Sequence, residues 1–130
     1  MNTQIALRAA ALAGACAEAL SDETEAVADA LRAGEGVRAL DLLMASTDRL
    51  QRFLIFVELV ADVVTHDTRT HLIQYGRRLS ASLEKLEDAL ERRDLGRIGL
   101  VLAHGLAPAL RDYDVHADAV IVALSPAQAA

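Results

Sequence analysis

The apolar residues between Leu40 and Val64 recur in alternating steps of three and four, which is the spacing of one face of an α-helix. The positions on this stripe are Leu40, Leu43, Thr47, Leu50, Leu54, Val57, Ala61 and Val64. The helix-breaking sequence Gly34-Glu35-Gly36 precedes the stripe. The pattern therefore predicts a helix over residues 37–65.

Three further stripes of similar period predict three more helices, with approximate bounds 3–33, 68–93 and 94–124. The first stripe consists of Ile5, Ala9, Leu12, Cys16, Leu20, Val27 and Leu31, which are expected to face the core. Asp67 or Thr68 is expected to cap the third helix and Asp94 the fourth, whereas Ser125-Pro126 closes the fourth. Rods of similar length with short connections predict an all-α, antiparallel up-down four-helix bundle that forms one domain over residues 1–130.

The first and last stripes each slip phase once, which predicts a local irregularity shared by the two helices. Pro108 has no amide hydrogen to donate to the carbonyl of His104, so we expect the last helix to be kinked there. In an up-down bundle Ser21 and Pro108 lie at similar heights, and we expect the hydroxyl of Ser21 or Thr24, or water, to reach the His104 carbonyl. We expect the first helix to continue through Ser21, although Asp22 and Glu25 form a capping-box pattern that would restart it.

The second helix carries more apolar residues than its core-facing stripe needs. With Leu54 and Val57 on that stripe, four residues point away from it and form the predicted contact patch: Ile55, Phe56, Leu59 and Val63. Because a single bundle has one interior, we predict that this patch meets a partner, most simply a second copy in a homodimer. The alternative is that the first helix or the tail after Leu124 covers it. Phe56→Asp is expected to abolish self-association while leaving helicity largely intact.

Composition and charge favour a helical fold and argue against some kinds of partner. Of 130 residues, 53% are apolar and 3% aromatic, which favours helices over sheets. The net charge of −6 disfavours nucleic acid as a partner. No membrane span is expected, because the most apolar stretch contains Glu58 and Asp62. The single cysteine, Cys16, is expected to be a small buried hydrophobe, and its lack of a disulfide partner predicts a cytoplasmic location.

Catalytic chemistry finds little support in the sequence. Glu58, Asp62 and His66 are four residues apart and would line one helix face, which makes a metal-binding bundle the alternative. The Glu-x-x-His spacing of di-metal bundles is absent, and no glycine-rich phosphate loop or paired nucleophile and base is present. We predict no catalytic, cofactor or metal residue and no enzymatic activity.

The sequence Ala103-His104-Gly105-Leu106 resembles the phosphorylated motif of histidine phosphotransfer domains at three positions. Those domains are small acidic four-helix bundles, so the resemblance implies a signalling role with His104 as the phosphorylated residue. Ala107 and Pro108 stand where that family carries lysine and glycine.

The segment from Asp94-Leu95 to Leu106-Ala107-Pro108-Ala109-Leu110-Arg111-Asp112-Tyr113, with the bundle before it, resembles bacterial flagellar export chaperones of the flagellin-binding type. The resemblance covers about residues 37–113, but the N-terminal tyrosine-bearing and leucine-rich signatures of that family are missing. It implies a non-enzymatic bundle that holds a helical segment of another protein in an apolar groove. The sequence thus predicts a homodimeric interaction module of the adaptor or chaperone-like kind.

Overall fold

The protein is an antiparallel bundle of four rods, as predicted. The computed structural model describes residues 3–124, apart from the side chains of residues 3 and 66. Three rods are continuous helices: α1 (Thr3–Arg32), α2 (Gly36–Val63) and α3 (His66–Glu91). The fourth, which we call the fourth segment, consists of α4 (Leu95–Leu100), a π-helix (Val101–Leu106), α5 (Ala107–Arg111) and α6 (Asp114–Leu124). Both α1 and α3 pack against α2 and against the fourth segment.

The core is built from different residue types on different helices. The first four buried side chains of α1 are all alanines: Ala6, Ala10, Ala13 and Ala17. On the other helices leucine is the commonest buried residue, and Phe53, Tyr75 and Tyr113 add aromatic rings. Alanine side chains are short, so the backbone of α1 can lie close to its two neighbours, and the larger side chains of those neighbours fill the interior.

The sharp turns after α1 and α3 have the same geometry but different residues. Gly34 after α1 and Arg93 after α3 both adopt a left-handed conformation, with φ of 77° and 53°. The amide that follows each of them donates to a carbonyl in the last turn, of Ala30 at 2.9 Å and of Ala89 at 3.0 Å. Such bonds satisfy carbonyls that a helix end would otherwise leave unpaired.

Most predicted helix boundaries are confirmed. The helix α1 is continuous through Ser21, and the Asp94 carboxylate caps α4 by accepting the amide hydrogen of Arg97 at 3.1 Å. The predicted cap of α3 is wrong, since Thr65 precedes the helix without a side-chain hydrogen bond and Asp67 lies in the first turn. Ser125-Pro126 lies outside the described residues.

The irregularity predicted near Pro108 is a π-helix that leads into the proline. The amide of Ala107 donates to the carbonyl of Leu102, five residues back instead of four. This wider turn comes directly before the residue that has no amide hydrogen, where a regular hydrogen-bond ladder would be interrupted in any case.

The hydroxyl predicted at this irregularity is present, although it bonds a different carbonyl. Ser21 Oγ donates to the carbonyl of Ala107 at 3.0 Å, and not to that of His104. Thr24 Oγ1 donates to the carbonyl of Ser21 in its own helix at 2.8 Å. The contact between the two helices is thus confirmed, whereas the choice of carbonyl is wrong because the π-helix changes the position of each group relative to α1.

A second interruption separates α5 from α6. The amide of Tyr113 would reach Ala109 in a continuing α-helix, but it donates to Leu110 at 3.2 Å instead. The hydroxyl of Tyr75, on α3, donates to the Ala109 carbonyl at 2.5 Å. The neighbouring helices α1 and α3 therefore both supply hydroxyl groups to the backbone of the fourth segment.

Candidate interaction surface

Three of the four residues of the predicted contact patch lie on the outer surface of α2. Ile55, Leu59 and Val63 are 54%, 47% and 42% exposed. We call these three residues the α2 ridge. Their spacing of four places them in one row along the helix, on the side opposite the core.

The fourth residue, Phe56, is half-buried and packs against the core, so its predicted outward orientation is wrong. The buried face of α2 is turned toward α1 relative to the predicted stripe: Phe53 and Val60 are buried, whereas Leu54 is only half-buried. Phe53 packs edge-to-face on Tyr113 of the fourth segment with ring centroids 5.4 Å apart, and Phe56 lies 6.4 Å from Phe53. Phe56 therefore covers the margin of the core.

Beside the α2 ridge, the two helices α1 and α2 enclose an open apolar groove of about 630 Å³. It is lined from α1 by Ala9, Leu12, Ala13 and Cys16, and from α2 by Phe53 and Phe56 together with Arg49 and Arg52. We call it the α1/α2 groove. Since Phe56 lines the groove and neighbours the ridge along α2, ridge and groove form one apolar face.

The contribution of α1 to this face was not predicted from its apolar pattern. Ile5, Leu12 and Cys16 were predicted to be buried, but Ile5 is 64% and Leu12 66% exposed, and Cys16 is exposed. The prediction is wrong because alanines one position further along the helix occupy the core-facing sites. Leu12 remains outside and forms a wall of the groove opposite Phe56. The extra apolar stripe was visible in the sequence, but its orientation was not.

Charged residues border the apolar face. Arg49 forms an ion pair with Glu23 that links α2 to α1. Arg52 pairs with Asp48 one turn earlier at 3.0 Å, with both side chains more than two-thirds exposed. Asp62 is exposed at the other end of the ridge and forms no ion pair with any residue that the structure describes.

In the described part of the structure, no metal-ligating side chain from another helix joins Glu58 and Asp62, the described residues of the alternative metal site. Glu58 and Asp62 are both exposed, and both border a shallow groove between α2 and α3 that Arg77 also lines. The side chain of His66 lies outside the described part of the chain. Among the described residues, no group of three metal-ligating side chains comes together.

Cys16 has the environment of an unreactive thiol. Partial burial raises the pKa of Cys16 above its usual value, Arg49 acts in the opposite direction, and Glu23 adds to the increase. A raised pKa leaves the thiol protonated near neutral pH, and the thiol is a weaker nucleophile than the thiolate.

His104, the candidate for phosphorylation, is exposed on the π-helix. It borders a small cavity between the end of α1 and the fourth segment that is lined mainly by apolar groups. Ala107, where the phosphotransfer family has its lysine, is fully buried. That position therefore offers no cation to hold a phosphoryl group beside His104.

No protein-family model matches the chain, and no curated protein or solved structure is significantly similar to it. None of the helices between residues 3 and 124 combines the length and hydropathy that crossing a membrane requires.

Proposed function

We propose that this protein is a non-enzymatic helical-bundle interaction module that self-associates through the α2 ridge and the adjoining α1/α2 groove. The observation that carries the proposal is the row formed by Ile55, Leu59 and Val63. These three branched apolar side chains are about half exposed on a helix whose opposite face is already in the core.

The hydrophobic effect favours covering this row. Complete burial of one such side chain contributes about 1.5–3 kcal/mol, so burying the exposed half contributes roughly 1 kcal/mol per residue. A symmetric dimer buries the ridges of both copies at once, because a two-fold axis brings the same surface together from each. Leu12 and Phe56 in the adjoining groove extend the area available for contact.

Self-association can be tested by measuring the solution mass of the wild type and of Ile55→Asp over a range of concentrations. We expect a dimer for the wild type and a monomer for the variant, because aspartate would bring an unpaired charge into the apolar contact. Met44→Asp is the matched control, since Met44 is 76% exposed on the same helix but outside the ridge and groove. It should remain dimeric.

Ile55→Asp is a cleaner variant than Phe56→Asp. Phe56 packs against the core, so a charge there would disturb folding as well as association. Circular dichroism should show unchanged helicity for Ile55→Asp. A wild type that is monomeric at every concentration would refute self-association.

A helical segment of another protein is the partner implied by the chaperone resemblance, and the apolar lining of the α1/α2 groove is compatible with it. The signalling alternative draws support from one observation, the exposure of His104. Incubation with a phosphorylated response regulator tests this alternative. Acid-labile label that is lost in His104→Gln would favour phosphotransfer, whereas no label would exclude it for that donor.

A further inference from the structure

Four exposed residues along the outer face of α2 have a symmetric spacing. Arg52, Ile55, Leu59 and Asp62 follow one another at steps of three, four and three residues. Steps of three and four keep residues on one side of a helix. The row therefore reads cation, apolar, apolar, anion, with the midpoint between Ile55 and Leu59.

This order makes the row complementary to a copy of itself that runs in the opposite direction. A two-fold axis through the midpoint places Ile55 opposite Leu59 of the second copy and Arg52 opposite Asp62 of the second copy. A parallel arrangement would instead place arginine against arginine and aspartate against aspartate. Juxtaposed like charges disfavour a complex, whereas opposite charges fix its orientation.

We infer that α2 pairs antiparallel with α2 of a second copy, in the register that sets Arg52 of each copy against Asp62 of the other. This inference rests on the proposed self-association and specifies its geometry. The two charges are available for such contacts. Within the described residues, Arg52 forms one ion pair, with Asp48 of its own helix, and such solvent-exposed pairs contribute little to stability. Asp62 forms no ion pair within the described residues.

Charge reversal tests the register directly. Arg52→Asp and Asp62→Arg each replace two attractive contacts per dimer with two repulsive ones. We expect each to raise the dimer dissociation constant at least about tenfold. The double variant, Arg52→Asp with Asp62→Arg, restores opposite charges at both contacts and should bring the dissociation constant back to near the wild-type value. Asp41→Arg is a control reversal on an exposed site of α2 far from the row.

Disulfide cross-linking provides an independent readout. In a Cys16→Ala background, Arg52→Cys and Asp62→Cys are made as separate chains and mixed under mild oxidation. The antiparallel register predicts a disulfide between an Arg52→Cys chain and an Asp62→Cys chain. It predicts almost no disulfide between two copies of the same variant. Like positions would be separated by about 15 Å along the helix, too far for a disulfide.

The outcomes separate this inference from the proposed function. Rescue by the double reversal together with the mixed cross-link supports the register. If Ile55→Asp disrupts the dimer but the reversals have no effect, or if cross-links form between like positions, the register is wrong and self-association stands. A wild type that remains monomeric overturns both.

Discussion

The helix α2 and the fourth segment are both rich in apolar residues, but they place them differently. The helix α2 runs unbroken for 28 residues, and part of its apolar surface points to solvent. The fourth segment contains a π-helix and a second break, and its Leu102, Leu106, Leu110 and Tyr113 are almost completely buried.

The difference shows how backbone regularity and surface composition are linked. A regular helix presents a fixed share of its residues to the core, so α2 leaves its additional apolar side chains outside. The irregular stretch of the fourth segment, between Leu102 and Tyr113, directs its large apolar side chains inward, whereas its regular helices α4 and α6 also expose some. The irregular backbone receives hydrogen bonds from Ser21 and Tyr75. Irregular backbone inside a protein needs such partners.

The largest contrast is expected within α2 itself. Phe53→Ala should lower the free energy of unfolding by about 3–5 kcal/mol, because it removes a buried ring that packs on Tyr113. Ile55→Ala, two residues away on the outer face, should change it by less than about 0.5 kcal/mol. Chemical denaturation at low protein concentration, where association is weak, measures both. Similar losses for the two variants would mean that the outer face is covered within the monomer.

Tyr75, which contacts the fourth segment, and Tyr113, which belongs to it, should respond in opposite ways to loss of the hydroxyl. Tyr75→Phe removes the hydroxyl that donates to the Ala109 carbonyl and should lower the free energy of unfolding by about 1–3 kcal/mol. The hydroxyl of Tyr113 is buried without a hydrogen-bond partner among residues 3–124, and burial raises its pKa to about 12. Tyr113→Phe should therefore be neutral or stabilising. Thermal unfolding measures both variants. A lower melting temperature for Tyr113→Phe than for Tyr75→Phe would contradict this prediction.

The hydrogen bond between α1 and α5 should have a smaller but measurable effect. Ser21→Ala removes the bond to the Ala107 carbonyl and should lower the free energy of unfolding by about 1 kcal/mol. Ser46→Ala is the matched control, because Ser46 is equally buried but donates to Leu42 within its own helix. Ser46→Ala should lower the free energy of unfolding by no more than about 0.5 kcal/mol. Equal losses in urea denaturation would show that the contact between the helices adds no stability.

The smallest effect concerns pH at the start of α6. Burial lowers the pKa of His116, the neighbouring His71 lowers it further, and Asp112 opposes the shift. The folded protein thus binds this proton more weakly than the unfolded chain, so the contribution of His116 to stability is present above about pH 6.5 and is lost as the pH falls below that value.

Melting temperatures at about pH 7.5 and about pH 5.5 test this linkage. We expect the decrease on acidification to be slightly smaller for His116→Gln than for the wild type. His104→Gln, at an exposed site on the π-helix, is the control and should retain the wild-type decrease. If the melting temperature of His116→Gln falls as much as that of the wild type, protonation of His116 does not cause the decrease.

The sequence by itself determined the helical class, the four rods, the cap at Asp94 and the irregularity near Pro108. These features depend on interactions between residues close in the chain: the period of apolar residues, a capping carboxylate, and a ring that removes an amide hydrogen. The sequence also placed the α2 ridge on the surface, because α2 has more apolar positions than one face can bury.

Only the tertiary structure decided which of two adjacent apolar stripes faces inward. On α1 the alanine stripe is buried and Leu12 lies outside, and on α2 Phe53 enters the core while Phe56 stays at its margin. Hydrophobicity alone favours the larger side chains for the interior. The choice depends instead on how closely the neighbouring helices approach and on whether a partner such as Tyr113 fills the space, and both are set by residues far apart in the chain.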